Sequence, residues 1–244
     1  LTTANTVQLL HNGEEKFPAL LQAMQAARHH IHLEYYIIED DPSTRLLQEV
    51  LLQKLQEGVQ VRLIYDAFGA KNIRGAFAQQ LKQVGAEVYP FNKIRWFFLA
   101  SKINYRNHRK IVVIDGDTGF VGGINLCSKY INTNDNGRLY WRDTHLRIVG
   151  PAVWHLQHIF MRDWNFCSDQ QLGYDATYFT PFNRLGQGAP IQVVAGGPDC
   201  PRSVIMLSML KAINLARRYC YITTPYFIPD SSMVAALKLA ALSG

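Results

Sequence analysis

Apolar residues recur at helical spacing between Glu14 and Ala27, where Phe17, Leu20, Leu21, Met24 and Ala27 share one stripe. The run Ile31-His32-Leu33-Glu34-Tyr35-Tyr36-Ile37-Ile38 predicts a strand. Asp41-Pro42-Ser43 then marks a turn and a helix start, Leu46, Leu47, Val50, Leu51 and Leu55 form a second buried stripe, and Gly58 ends it. Val59 to Asp66 predicts another strand, Ile73 to Val84 a third helix, and Ala86 to Tyr89 a short strand. This alternation predicts an α/β fold with parallel strands and covering helices. Further on, Ile111-Val112-Val113-Ile114 is a β-branched run that stops at the turn signal Asp115-Gly116-Asp117, and Gly119-Phe120-Val121 returns from it, so a hairpin is expected.

The opening pattern recurs late in the chain. Leu20 matches Leu210, Ala26 matches Ala216, Arg28 matches Arg218, Tyr36 matches Tyr226, Ile38 matches Ile228 and Asp40 matches Asp230, all at one offset. A second helix-strand-helix unit is therefore expected from near residue 191, giving one complete repeat (1–188) and the start of another (189–244). Two amphipathic units that share a pattern by convergence are the alternative. If the repeat is genuine, a second copy of whatever motif follows the first would lie about 50 residues past residue 244.

Composition narrows the partners. The chain has 244 residues, 48% of them apolar and 18% charged, which is ordinary for a packed domain. Its net charge of +6 and pI near 9.1 favour anionic partners such as lipid head groups, nucleic acid or phosphorylated metabolites. No run approaches the roughly 18 apolar residues of a membrane span. The chain begins with Leu1, so it is expected to start inside a longer gene product or after processing. Cys127, Cys167, Cys200 and Cys220 lack metal-type spacing and read as buried, reduced thiols.

The hairpin carries the candidate chemistry. His108 and Lys110, two apart on a strand, point to the same face. Asp115, Gly122, Gly123 and Asn125 follow, giving His-x-Lys-x4-Asp-x6-Gly-Gly-x-Asn. A neutral imidazole can attack phosphorus while an ammonium and an amide hold its non-bridging oxygens. A bare His-x-Lys is common by chance. The added spacing makes the whole pattern specific.

That pattern is similar to the signature of the phospholipase D superfamily. The flanking text resembles its bacterial cardiolipin synthase branch: Leu33-Glu34-Tyr35-Tyr36-Ile37, Ile64-Tyr65-Asp66-Ala67-Phe68-Gly69, Trp141-Arg142-Asp143-Thr144-His145, Gly150-Pro151-Ala152-Val153 and Thr224-Pro225-Tyr226-Phe227-Ile228-Pro229-Asp230. The resemblance covers nearly the whole chain. It implies a phospholipase D-like mixed sheet flanked by helices and two facing motifs, one histidine forming a phosphohistidine and the other serving as acid and base. His108 is then the nucleophile or the acid/base, with the nucleophile favoured. Lys110 and Asn125 bind phosphate oxygens, Asp115 fixes the hairpin more than it meets substrate, and Gly122 and Gly123 allow close backbone approach. Many relatives have Ser at position 123, so a hydroxyl contact is missing here. Asp143 stands where relatives place the carboxylate that orients the histidine, a plain surface ion pair being the alternative. The implied reaction joins two phosphatidylglycerols into cardiolipin with release of glycerol. No cofactor or metal is implied, and the implied setting is a bacterial inner membrane. With one motif where two are needed, this chain alone is expected to have little or no synthase activity.

Other features leave alternatives open. Lys93, Arg95, Lys102, Arg106 and Arg109 mix with Trp96, Phe97, Phe98 and Tyr105, which suits a headgroup-level membrane contact, a buried segment, or the stacking of nucleic-acid bases. A homodimeric nuclease or phosphodiesterase with one motif per subunit, and a non-catalytic lipid-binding fragment, therefore remain as rivals. His30, His32 and Glu34 share a strand face and are expected to line the sheet rather than hold zinc. His155 and His158, one turn apart after Gly150-Pro151, are expected on an exposed helix face.

Overall fold

In the computed structural model, residues 1–70, 76–91, 106–132, 140–182, 188–197, 200 and 202–243 are described. The chain divides into two compact units, Leu1–Val193 and Val194–Gly244, against the 188/189 boundary expected from sequence. The first unit runs β1 (Thr2–His11), α1 (Asn12–Gln25), β2 (His30–Tyr35), α2 (Pro42–Gln56), β3 (Gln60–Asp66), α3 (Ala76–Gln83), β4 (Glu87–Phe91), β5 (Lys110–Ile114), β6 (Thr118–Gly122), β7 (Thr144–Val149), α4 (Ala152–Cys167) and β8 (Ala189–Ile191). The strands form one sheet in the order β4-β3-β2-β5-β6-β7-β1-β8. β2, β3 and β4 run parallel, as helix crossovers require; β2–β5 and all later pairings are antiparallel. The sheet is mixed, and the parallel arrangement expected from the first third of the chain holds only there.

Local chemistry sets the element ends. The Asp41 carboxylate accepts from Thr44 N at 3.1 Å and caps α2, with Pro42 in its first turn. At α1, Glu15 reaches back to accept from His11 N at 2.8 Å. The β5–β6 turn needs left-handed backbone at Asp115 (φ 52°) and Gly116 (φ 69°). A side chain at 116 would also meet Tyr178 O at 2.5 Å.

The two faces of the sheet differ. Ile31, Leu33, Val61, Leu63, Val112 and Phe120 join Phe17, Leu20, Met24, Leu47, Leu51 and Leu81 in the main core under α1, α2 and α3. The alternate residues of the same strands, among them His30, His32, Glu34 and Arg62, are buried. Ile64 on this second face packs with Phe160, Trp164 and Cys167 of α4. Strand β1 carried no clear alternation in sequence. It is held between β7 and β8, and only Asn5 and Leu10 are buried along it.

The second unit consists of α5 (Val204–Leu215) and α6 (Ser231–Leu242), close to the places where the repeat sets counterparts of α1 and α2. Between them no strand forms, and Tyr221, Tyr226 and Ile228 are exposed. A strand needs a neighbour to hydrogen-bond, and the described part of this unit offers none. Cys127 and Cys167 are buried as expected, Cys200 is half-buried and Cys220 is exposed. Among the described residues no helix is long and apolar enough to cross a membrane.

Candidate active site

One row of side chains crosses the sheet at the end where β2 and β3 stop. Tyr65 pairs with Tyr35, Tyr35 with Lys110, Gly122 with His145, and His145 with Leu10. One step further in the β5–β6 register sets Lys110 against Gly122. The row lies on the face covered by α1. His108 stands just beyond it, exposed, with its ring 4.4 Å from the Tyr36 ring.

Lys110 is 4% exposed, and its ammonium lies 3.2 Å from His108 Nδ1 and donates to His108 O at 2.7 Å. Nδ1 thus accepts, and a neutral ring carries its proton on Nε2. Burial and the Lys110 charge hold the imidazole below its usual 6.5, opposed by the Asp66 carboxylate. Burial also brings Lys110 down to about 8, with Asp143 opposing. At pH 7 the pair is a neutral imidazole beside an ammonium.

Asn125 is buried. Its Oδ1 accepts from Ile37 N at 3.0 Å and its Nδ2 donates to Tyr130 OH at 2.8 Å. An amide nitrogen has two N–H groups, so one remains for another acceptor. Asp143 sits against Gly123: a Cβ there would come within 2.1 Å of Asp143 Oδ1. That oxygen accepts from Thr144 N at 2.7 Å, and among the described residues no hydrogen bond joins Asp143 to His108. The Asp66 carboxylate, at the end of β3, pulls the His108 pKa upward, and its Oδ2 accepts from Asn107 N at 3.3 Å. Asp115 lies apart. At the far end of β5 it accepts from the N–H groups of Arg28, His29 and His30 at 2.8, 2.8 and 3.0 Å, tying β2 to the hairpin.

Two functional-looking residues escaped the sequence pattern. Lys16 is fully buried on the apolar stripe of α1, with Nζ 3.5 Å from Asn125 O, 4.2 Å from the Phe17 ring centroid and 5.0 Å from that of Tyr35. Burial lowers its pKa well below the ordinary lysine value. His145 is also fully buried, and its Nε2 has no partner among the described residues. A lysine within an apolar stripe was the available signal for the first.

Elsewhere His30 and His32 are buried in ring contact at 4.5 Å, and Gln157 and Arg62 occupy the two nitrogens of His32. Glu34 belongs to a different network, so the three residues do not converge on one point. His155 and His158 are exposed on α4. Trp96, Phe97, Phe98 and Tyr105 lie outside the described residues. Among the described residues the one potential metal cluster is Glu39, Asp41 and Cys127. There the thiol donates to Glu39 at 2.9 Å, and Asp41 is spent on capping α2.

Solved structures share this architecture. NucT from Helicobacter pylori matches with a TM-score of 0.53 at 16% identity, covering 67% of this chain and 98% of its own. Nuc from Salmonella typhimurium, a phospholipase D family member, matches at 0.51 and 16%, covering 67% of this chain and 97% of its own. The first unit therefore has a phospholipase D-type fold. A family model described as "Cardiolipin synthase, PLD-like domain" matches residues 20–164, and the chain belongs to that family, one of phospholipase D-type phosphatidyltransferases. Its whole length is 43% identical to a cardiolipin synthase of Geobacillus kaustophilus, over 48% of that protein, and 41% identical to one of Listeria monocytogenes, over 50%. The chain spans about half the length of these relatives.

Proposed function

We propose that this chain supplies the first motif of a cardiolipin synthase. In this reading His108 attacks the phosphorus of phosphatidylglycerol, an N–P bond forms, the bond to the glycerol oxygen breaks, and that oxygen leaves with a proton from a second histidine. The hydroxyl of another phosphatidylglycerol then gives its proton to that second histidine, its oxygen bonds to phosphorus, the N–P bond to His108 breaks, and cardiolipin forms. Lys110 donates to a non-bridging oxygen, taking up the hydrogen-bonding capacity it shares with His108 Nδ1, and Asn125 offers its remaining N–H. Asp66 and Asp143 shape the charge around His108 and Lys110, and Asp115 holds the hairpin without touching substrate. The single observation that carries this reading is the 3.2 Å contact between an exposed imidazole and a buried ammonium.

We extend the reading to a membrane surface, with the inner membrane as its place. Arg106 lies 4.3 Å over the exposed Phe68 ring, and Lys129 lies 5.4 Å over the exposed Trp141 ring. Paired cations and aromatic rings suit the level of anionic head groups. The second unit is read as the opening of a second repeat, and the chain alone as nearly inactive in cardiolipin formation.

A phosphodiester with a nitrophenolate leaving group tests the chemistry, because that group departs without a proton from a second histidine. The expected result is a burst of at most one nitrophenolate per chain, with acid-labile phosphorus on His108, and no burst from His108→Ala. Absence of both burst and adduct in the unaltered chain refutes the nucleophile assignment. Cardiolipin formed by the purified chain refutes the inactivity.

A further inference from the structure

Residues 107–109 precede β5 and lie outside the strand expected for His108 from sequence. His108 lies against Lys110, whereas Asn107 and Arg109 reach Glu34 and Asp163 on the face under α4. Asn107 is 4% exposed and donates through Nδ2 to Glu34 Oε1; its own Oδ1 accepts from Arg109 N at 3.0 Å. Arg109 Nη1 donates to Asp163 Oδ2 on α4 and lies 3.9 Å from Glu34 Oε1. The histidine therefore sits between two residues that are both tied down behind the sheet.

Glu34 is the centre of this attachment. It is 1% exposed, on the second face of β2, and no mechanism above uses it. Arg109 faces two carboxyl groups here, and Arg162 Nε lies 3.7 Å from Asp163 Oδ1. Burial, with the Asp163 charge beside it, drives the Glu34 carboxyl well above the usual range. Glu34 Oε2 has no hydrogen-bond partner among the described residues. The arrangement is thus a pair of neighbouring carboxyl groups with Arg109 against it and Asn107 hung from one end.

We propose that Glu34 is a positioning residue that, with Asp163, anchors Asn107 and Arg109 and so holds the His108 ring against Lys110. This rests on the assignment of His108 as the reacting residue, but its geometry can be read without turnover. A buried carboxyl can be replaced by an amide of the same shape. Glu34→Gln keeps an acceptor for Asn107 and turns a donor to Asp163, whereas Glu34→Leu offers neither.

The test is the titration of His108 in the 244-residue chain, followed by NMR of labelled histidine, with assignment from His108→Ala. In the unaltered chain and in Glu34→Gln the ring is expected to titrate below 6.5 with its proton on Nε2. In Glu34→Leu the ring is expected to leave Lys110, its titration rising to about 6.5. Asn107→Ala removes the same anchor near the strand end, reports independently of whether Glu34→Leu folds, and is expected to shift the same way. An unaltered His108 titration in Asn107→Ala, or a Glu34→Gln protein that behaves like Glu34→Leu, overturns the proposal. Failure of the nitrophenolate burst would instead strike the nucleophile assignment and leave these titrations as they are.

Discussion

His30 offers a quantitative test of how this sheet is built. It is 1% exposed, its two ring nitrogens have no hydrogen-bond partner among the described residues, and burial lowers its pKa from 6.5 to about 4. Around it stand His32 on its own strand, Arg62 on β3, Gln157 on α4, Tyr178, His29 and the Asp115 carboxylate, of which Asp115 alone pulls the pKa back up among the charged groups. Below pH 6.5 the unfolded chain binds a proton at this residue that the folded chain refuses until about pH 4. Stability is therefore fully present above 6.5 and declines as pH falls through that interval. At about 1.4 kcal/mol per pH unit the whole interval corresponds to about 3 kcal/mol, and the step from pH 7 to pH 5 to about 2 kcal/mol. His30→Leu removes the titrating ring and its two unpartnered nitrogens, so it should lose that much less over the same step. With a urea slope of about 2 kcal/mol per molar, the difference is about 1 M in the midpoint shift between pH 7 and pH 5. His145, lowered in the same direction by burial, titrates in both proteins and cancels in the comparison; His32, in ring contact with His30, is lowered chiefly by burial, which the substitution keeps. The assay is urea unfolding of the first unit followed by the fluorescence of buried Trp164. Equal losses in the two proteins would falsify the argument that His30 is buried neutral.

Other residues give shorter tests. Lys110 should titrate near 8 by NMR of labelled lysine, and the nitrophenolate burst should fade as pH rises through that value, since the ammonium is lost there. Gly123→Ala should fold but push the Asp143 carboxylate aside, lowering the Lys110 titration further because Asp143 is the charge that raises it. Gly122→Ala meets His145 Cα and Thr144 O, each at 2.6 Å, and should destabilise by at least about 1–3 kcal/mol in the same urea assay, because backbone cannot yield as a side chain can. Asp41→Ala removes the cap on Thr44 N and should lower stability by about 1–2 kcal/mol.

The alternation of the chain determined a good deal by itself. The stripes of α1 and α2, the β-branched run of β5 and the turn at Asp115-Gly116-Asp117 are local signals, because burial on one face leaves a period that can be counted. The same period put His108 and Lys110 on one face, and the quoted motif carried the family. Strand β1 was not legible, because its place depends on β7 and β8 and little of it is buried. Nor could spacing tell that the charge of Asp66, 42 residues before His108, reaches its ring, or that the charge of Asp143 reaches Lys110. Sequence set Glu34 on a strand face lining the sheet and Lys16 within an apolar stripe, but not what either meets there. Tertiary packing buries the first beside Asp163 and Arg109 and drives its carboxyl pKa upward, and it buries the second under Asn125, since only assembly of strands distant in sequence sets how much water and which charges each group meets.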